Sequence, residues 1–267
     1  MTTVYVDPIL AASMLALGKL VSPGPGKWSA SSPEQEEFLG KLGALTETIA
    51  MLPDFFYAAA AKSAGPVNAF LARQGFDSAL REAGPQSLYA AAVLDLLVEW
   101  VTPGSAVQLA LLDGRLAPGV RLKKGHFRVD GRVLSPEVKP GPIYVRMCES
   151  VTLDEGLAII AGTIYVAPNW DYGAATFPMV SLDVDVDASK MIGLRNGDWT
   201  VDQAFARAKL RLDPKGAHAQ AAAAMAATRG IVKTFKIAGP FTIAFVTGDG
   251  QVAIAYHVTE EHFSAPA

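Results

Sequence analysis

The last stretch of the chain constrains the fold most. Phe241 to Val258 reads FTIAFV, then Thr247-Gly248-Asp249-Gly250, then QVAIAYHV. Two runs of β-branched and aromatic residues around a Gly-rich reversal predict a β-hairpin, since glycine supplies the backbone angles that a tight antiparallel turn needs. Shorter runs upstream have the same texture. Gly119 to Lys123, Phe127 to Leu134 and Pro142 to Met147 are separated by Gly and Pro and read as strands and turns. Leu157 to Ala167 (LAIIAGTIYVA) is almost continuously apolar, which predicts a strand buried on both faces, and Met179 to Asp187 alternates.

The first hundred residues differ. Asp7-Pro8 predicts a helix start, with Asp capping free amides and Pro placed where its missing N–H costs nothing; Thr2 to Val6 before it reads as a short strand. Ser22 to Ser32 is a loop by its Pro, Gly and Ser content, and Ser32-Pro33 opens a second helix with Glu34, Glu36 and Glu37 at its positive end. Residues 33 to about 100 are expected to be mostly helical, divided by Pro53, Pro66 and Pro85, with Gln86 to Val101 the most regular piece. The expectation is an α+β protein, of one large domain or two small ones, with helices mainly in the N-terminal half and the C-terminal β-hairpin.

Composition excludes several functions. With 51% hydrophobic and 18% charged residues and a formal net charge of −3, the chain is globular and mildly acidic. It has no dense basic cluster for nucleic acid; the longest run, Arg121 to Lys124, is a solvated loop face. One cysteine, Cys148, excludes an intramolecular disulfide framework and multi-cysteine zinc sites. Pro8 to Val21 is apolar but too short to span a bilayer and lacks a basic segment before it, so neither membrane anchor nor signal peptide is expected, and the default compartment is cytoplasmic. No phosphate loop, dinucleotide fingerprint or nucleophile elbow is present, and no cofactor is expected.

Three constellations could carry chemistry. Asp183, Asp185 and Asp187 in SLDVDVD share one face of a strand about 7 Å apart, which suits a hard cation and resembles the DxDx opening of haloacid dehalogenase-type phosphatases. The alternative is an edge strand whose charges discourage strand addition. Cys148 could be a thiol nucleophile with His126, His218, His257 or His262, but no Gly-rich turn surrounds it and a buried structural cysteine fits better. His257 at a strand end and His262 in a polar tail read as surface or cap residues. The third constellation is Ala217 to Ala227 (AHAQAAAAMAA). Alanine and Asp213-Pro214 favour a helix from Pro214 to Thr228; stepping by two instead puts Ala217, Ala219, Ala221, Ala223, Met225 and Ala227 on one face, small enough for a loop to become a central strand.

The residues after this tract bear on that choice. Phe235-Lys236-Ile237-Ala238-Gly239-Pro240-Phe241, running into the hairpin, resembles the C-terminal signature of the serpins, in which an aromatic residue, four spacers and Pro-Phe introduce two buried strands. Lys215-Gly216 before the alanine tract is similar to the serpin hinge, and its distance to Pro240-Phe241 suits a reactive-centre loop. Val6-Asp7-Pro8 with the helix ending Leu17-Gly18 is similar to an early helix of the family, and Ile164-Tyr165-Val166 with Trp170 to a central-sheet strand ending in tryptophan. The chain departs from the pattern in being shorter and lacking the first helix. Ala217 stands where Thr or Ser is usual, and Pro214 where an acidic residue is usual.

The resemblance implies a single serpin-like domain over 1–267 with a central β-sheet, and a serine protease inhibitor, not an enzyme. A protease would cut the exposed loop, and the freed segment would insert into the sheet with the trapped acyl-enzyme, driven by a metastable native state. It implies a hinge at Gly216, Ala217, Ala219, Ala221 and Ala223 and a reactive bond at Arg229-Gly230, an Arg there suiting a trypsin-like pocket; loop length also allows Gly230-Ile231. The implied partner is an Arg-preferring serine protease, and the implied state a monomer able to form loop-exchange polymers. The other readings are a noninhibitory serpin-fold binding or assembly protein and a metal-dependent hydrolase built on Asp183, Asp185 and Asp187.

Overall fold

The computed structural model describes residues 3–21, 28–76, 80–84, 87–163, 171–204, 206–217 and 233–265. In chain order the elements are β1 (Thr3–Tyr5), α1 (Asp7–Leu20), α2 (Pro33–Ala50), β2 (Phe56–Ala61), α3 (Ala64–Arg73), β3 (Tyr89–Leu94), β4 (Val98–Glu99), β5 (Ser105–Ala110), β6 (Leu116–Lys123), β7 (Phe127–Asp130) and β8 (Val133–Pro136). They continue with β9 (Ile143–Glu149), α4 (Leu153–Gly162), β10 (Ala174–Pro178), β11 (Val180–Val186), β12 (Arg195–Asn196), β13 (Trp199–Thr200), β14 (Ala206–Asp213), β15 (Gly216–Ala217), β16 (Thr234–Lys236), β17 (Phe241–Thr247) and β18 (Val252–Val258). The class is α+β. No helix among the described residues is long and apolar enough to cross a membrane.

Contacts group the chain into two compact units, one of Met1–Tyr5, Leu96–Val184 and Ala208–Ala267, the other of Val6–Asp95 and Asp185–Arg207. In the second, Pro8 sits in the first turn of α1 as expected, but Asp7 is the helix's first residue and not its cap, and it pairs with Lys190 instead. Ser32 caps α2 by accepting from the Gln35 amide at 3.3 Å. Here one expectation fails: within the predicted helix over Gln86 to Val101, Tyr89–Leu94 is strand β3. Tyr89, Ala91 and Val93 alternate into a core with Val67, Phe70 and Leu71 of α3, and Ala58, Ala59 and Ala60 of β2 pair with Ala92, Ala91 and Ala90. Alanine's helix preference is a fraction of a kcal/mol per residue, and ladder pairing plus alternate burial outweighs it.

The other unit is built on the C-terminal hairpin. The six-stranded sheet runs β1-β18-β17-β9-β8-β7, and every residue of β17 is buried. A four-stranded sheet runs β16-β10-β6-β5 and another β11-β14-β15-β4. The predicted strand Leu157 to Ala167 is corrected for its described part. Leu153–Gly162 is helix α4, capped by Thr152, whose Oγ1 accepts from Glu155 N (3.2 Å), while the Glu155 carboxylate accepts from Val151 N (2.7 Å), one residue before the cap. An apolar run on a two-faced surface does not reveal its period, but the Thr-x-x-Glu ahead of it does. α4 packs on the sheet so closely that a Cβ on Gly156 would stand 2.0 Å from Thr242 Oγ1.

Candidate functional site

The residues singled out as a hinge begin at a tight turn. Asp213 is 1% exposed, and its Oδ1 accepts from the amides of Lys215 (2.6 Å) and Gly216 (3.2 Å), folding the chain back on β14. β15 then runs antiparallel to β14, with Asp213 opposite Gly216 and Leu212 opposite Ala217. Its other edge is also paired: Gly216 lies opposite Glu99 and Ala217 opposite Val98. Gly216–Ala217 is thus an inner strand, and Ala217 is 1% exposed.

The turn is held from β4 outward. Trp100 N donates to Lys215 O at 2.9 Å, Gly104 N to Pro214 O at 2.6 Å, and the indole Nε1 of Trp100 to Asp213 O at 3.1 Å. Trp100 is 2% exposed and packs edge-on against Phe177 of β10, ring centroids 6.2 Å apart. Glycine is required at 216 for space: a Cβ would fall 2.2 Å from Val98 O and 2.9 Å from Glu99 Cα, both backbone atoms. Among the described residues Asp213 Oδ2 is buried without a hydrogen-bond partner. The helix expected from Pro214 does not form at its start, because the Asp213 side chain and Trp100 take the groups that a helical turn would use. Ala219, Ala221, Ala223, Arg229 and Gly230 lie outside the described residues, as do Ile164, Tyr165, Val166 and Trp170.

The chain returns at a different sheet. Lys233 O accepts from Gly173 N at 2.9 Å, and β16 runs parallel to β10 with Thr234 opposite Ala174. Lys233 Nζ sits 4.7 Å from the centre of the Tyr172 ring, which meets Phe235 edge-on at 5.5 Å. In the Ala238-Gly239-Pro240-Phe241 passage, Glu149 Oε1 accepts from Ala238 N (2.6 Å) and Gly239 N (3.2 Å), and Phe241 is fully buried against Phe263. The spacer residues are therefore held through their amides, which Ala and Gly supply as well as polar residues would.

The remaining candidates separate. Asp183 pairs with Lys209 (3.7 Å), Asp185 with Arg207 (4.0 Å), and Asp187, just past the end of β11, accepts from Ser189 N (2.8 Å). That last bond holds the Asp187 carboxyl below its usual range. β11 is an edge strand, and among the described residues no three His, Cys, Asp or Glu side chains gather as a metal would need. Cys148 is buried in β9 with Sγ 3.5 Å from Gly156 O, and burial pushes its thiol up to about 12, so it is no nucleophile at neutral pH. His257 corrects an expectation: it is buried, not a surface cap. Sequence reasoning also missed Trp100 and Asp213. The signal was there in YAAAVLDLLVEW, an alternating strand closed by tryptophan.

The sheet β11-β14-β15-β4 takes Gly216–Ala217 as an inner strand and the six-stranded sheet buries the C-terminal hairpin, and together these define an α+β architecture. Comparison with solved structures gives that architecture its name. A serpin from Schistosoma mansoni matches with a TM-score of 0.63 and 10% identity over 96% of this chain and 95% of that one. Serpin48 of the insect Tenebrio molitor gives 0.58 and 14% over 96% and 91%. Thyroxine-binding globulin in complex with thyroxine gives 0.59 and 11% over 96% and 92%. Neither family models nor curated proteins match the sequence. The fold is the serpin fold, and the chain is a divergent serpin-like protein.

Proposed function

We propose that this protein inhibits an Arg-preferring, trypsin-like serine protease by cleavage and insertion of the segment between Ala217 and Lys233. The observation that carries the reading is the placement of Gly216–Ala217 as an inner strand between β14 and β4, so that the first step of insertion extends a pairing already begun. Each further residue pair adds ladder hydrogen bonds and apolar burial, the free energy needed to outrun hydrolysis of a trapped acyl-enzyme. Arg229-Gly230 is the proposed reactive bond and Ala219, Ala221 and Ala223 the residues that follow the hinge inward, all small enough to pass. Incubation with trypsin should give an SDS-stable complex and a cut after Arg229. Trypsin that nicks the loop and stays fully active overturns the reading.

A second reading is a noninhibitory binding protein, whose ligand would have to widen a water-sized hollow between α4 and the sheet. It is lined by Leu157, Ile160, Ala161, Val246 and Val252 and by Arg146, whose Nη1 is buried without a hydrogen-bond partner among the described residues. The thyroxine-binding globulin structure holds a small molecule in the same fold. Melting before and after loop cleavage separates the two readings: a large rise means insertion, and an unchanged Tm means a passive scaffold.

A further inference from the structure

Basic residues gather on one face of the four-stranded sheet β16-β10-β6-β5. The run Arg121 to Lys124, expected to be a loop face, closes a strand instead: Arg121, Leu122 and Lys123 are the last residues of β6. Strand register adds a cation from far along the chain. Lys236 of β16 lies opposite Thr176 of β10 and Thr176 opposite Arg121, so one row runs Lys236, Thr176, Arg121, Ser105 across all four strands. The neighbouring row holds Thr234, Ala174 and Lys123, on the same face because strand residues two apart point the same way. Lys123, Thr234 and Lys236 are exposed and Arg121 and Thr176 half-buried, while Val120, Leu122, Ala175 and Phe177 are buried on the other face.

Lys236 and Arg121 are two ladder spacings apart, about 10 Å along the row. The sequences of the four strands contain no Asp or Glu to offset them. Asp171, just ahead of β10, already has a partner, and Asp213 is buried in the turn before β15. Exposed Lys124 and Lys233, both bonded through their backbones to Gly173, add charge at the same end of the sheet. In a chain of net charge −3 this is segregated positive charge, and charge left unneutralised on an exposed face speeds encounter with an acidic partner.

The position of the face says which partner. Ser105 starts β5, Lys123 ends β6, and Ala174 and Thr234 start β10 and β16, so the basic rows stand at one end of the sheet. Both described ends of the connection between Ala217 and Lys233 meet that same end. Pro214 O accepts from Gly104 N, immediately before β5, and Lys233 O accepts from Gly173 N, immediately before β10. A protein that engages the connection therefore arrives beside the basic rows.

We propose that the face carrying Arg121, Lys123 and Lys236 is an accessory docking surface for the target protease, and that it selects a protease with carboxylates around its substrate cleft. The proposal rests on the inhibitor reading, because it takes the molecule seated on the connection to be a protease. The charges act on encounter. They raise the association rate and make it sensitive to salt, and they leave the chemistry at the cut bond untouched.

The test compares the wild type with a triple variant, Arg121→Gln with Lys123→Gln and Lys236→Gln, and with Lys236→Glu alone. The probes are trypsin and trypsin whose lysines have been succinylated, so that pocket and catalytic groups are the same and only the surface charge differs. With succinylated trypsin at low salt, the triple variant should associate roughly tenfold more slowly than the wild type and Lys236→Glu about threefold more slowly. The difference should vanish at about 0.5 M salt. With unmodified trypsin the triple variant should be no slower than the wild type. Reversible binding of succinylated trypsin whose catalytic serine is replaced by alanine is measured in parallel, and it should be salt-sensitive and weaker in the triple variant. Wild-type rates and binding in that variant overturn the docking surface even where stable complexes form. Weakened binding without stable complexes supports the surface and removes inhibition alone. Loss of binding to a sulfated polysaccharide in the triple variant, with trypsin binding unchanged, overturns the protease as partner. Should the triple variant not fold, a wild-type rate in Lys236→Glu overturns the proposal.

Discussion

Replacing Gly216 with alanine tests the hinge at its tightest point. The added Cβ would stand 2.2 Å from Val98 O and 2.9 Å from Glu99 Cα, and neither backbone atom can swing aside as a side-chain tip would. Two responses are open. If β15 keeps its place, β4 must shift, and overpacking of this kind costs about 1–3 kcal/mol. If β15 withdraws, it gives up its pairing with β4 and the Trp100 N to Lys215 O bond, at about 1 kcal/mol net for each hydrogen bond lost. The two routes together bracket a loss of about 1–3 kcal/mol, or roughly 2–12 °C in Tm for a protein of this size. Gly40→Ala is the control: it lies on the exposed side of α2 with no atom within 4 Å of the new Cβ, and should gain about 0.5–1 kcal/mol. With trypsin, Gly216→Ala should shift the outcome from stable complex toward cut, released inhibitor. An unchanged Tm together with an unchanged fraction of complex would refute the claim that Gly216 is seated between the two strands.

Trp100→Phe should keep the packing on Phe177 but strip the Asp213 carbonyl of its indole donor, costing about 1–3 kcal/mol in denaturant unfolding. Cys148 should resist thiol reagents at pH 8 in the native protein and react promptly once unfolded, because its pKa stands near 12. Replacing Asp183 and Asp185 by alanine should change stability by less than about 1 kcal/mol, since exposed ion pairs are worth little, and calorimetry with magnesium should show no heat of binding to the wild type.

What the sequence made legible depended on whether local pattern and tertiary setting agreed. The hairpin Phe241 to Val258, the Pro8 and Ser32 helix starts and the buried Cys148 were readable because turn chemistry, capping and burial each act over a few residues. Tyr89 to Leu94 and Leu153 to Gly162 were misread in opposite directions. The first is alanine-rich and waits on a partner strand at Phe56–Ala61, over thirty positions away at its Phe56–Leu94 pair; the second is apolar all round and hides its period. At the hinge, Gly216 was identified but its reason was not, since the need for glycine arises from Val98, which only the folded sheet brings near. Trp100 was missed for the same cause, as the strand before it had been given to a helix.

The connection between Ala217 and Lys233 starts in one sheet and ends in another. A cut within it therefore yields two polypeptides that remain a single particle, because the smaller one carries β17 and β18, wedged between β9 and β1 at the centre of the six-stranded sheet. Proteolysis here frees one end without releasing a fragment. After such a cut the downstream piece would stay embedded as an internal subunit, so the nicked protein should stay intact by size until a denaturant separates what the peptide bond no longer joins.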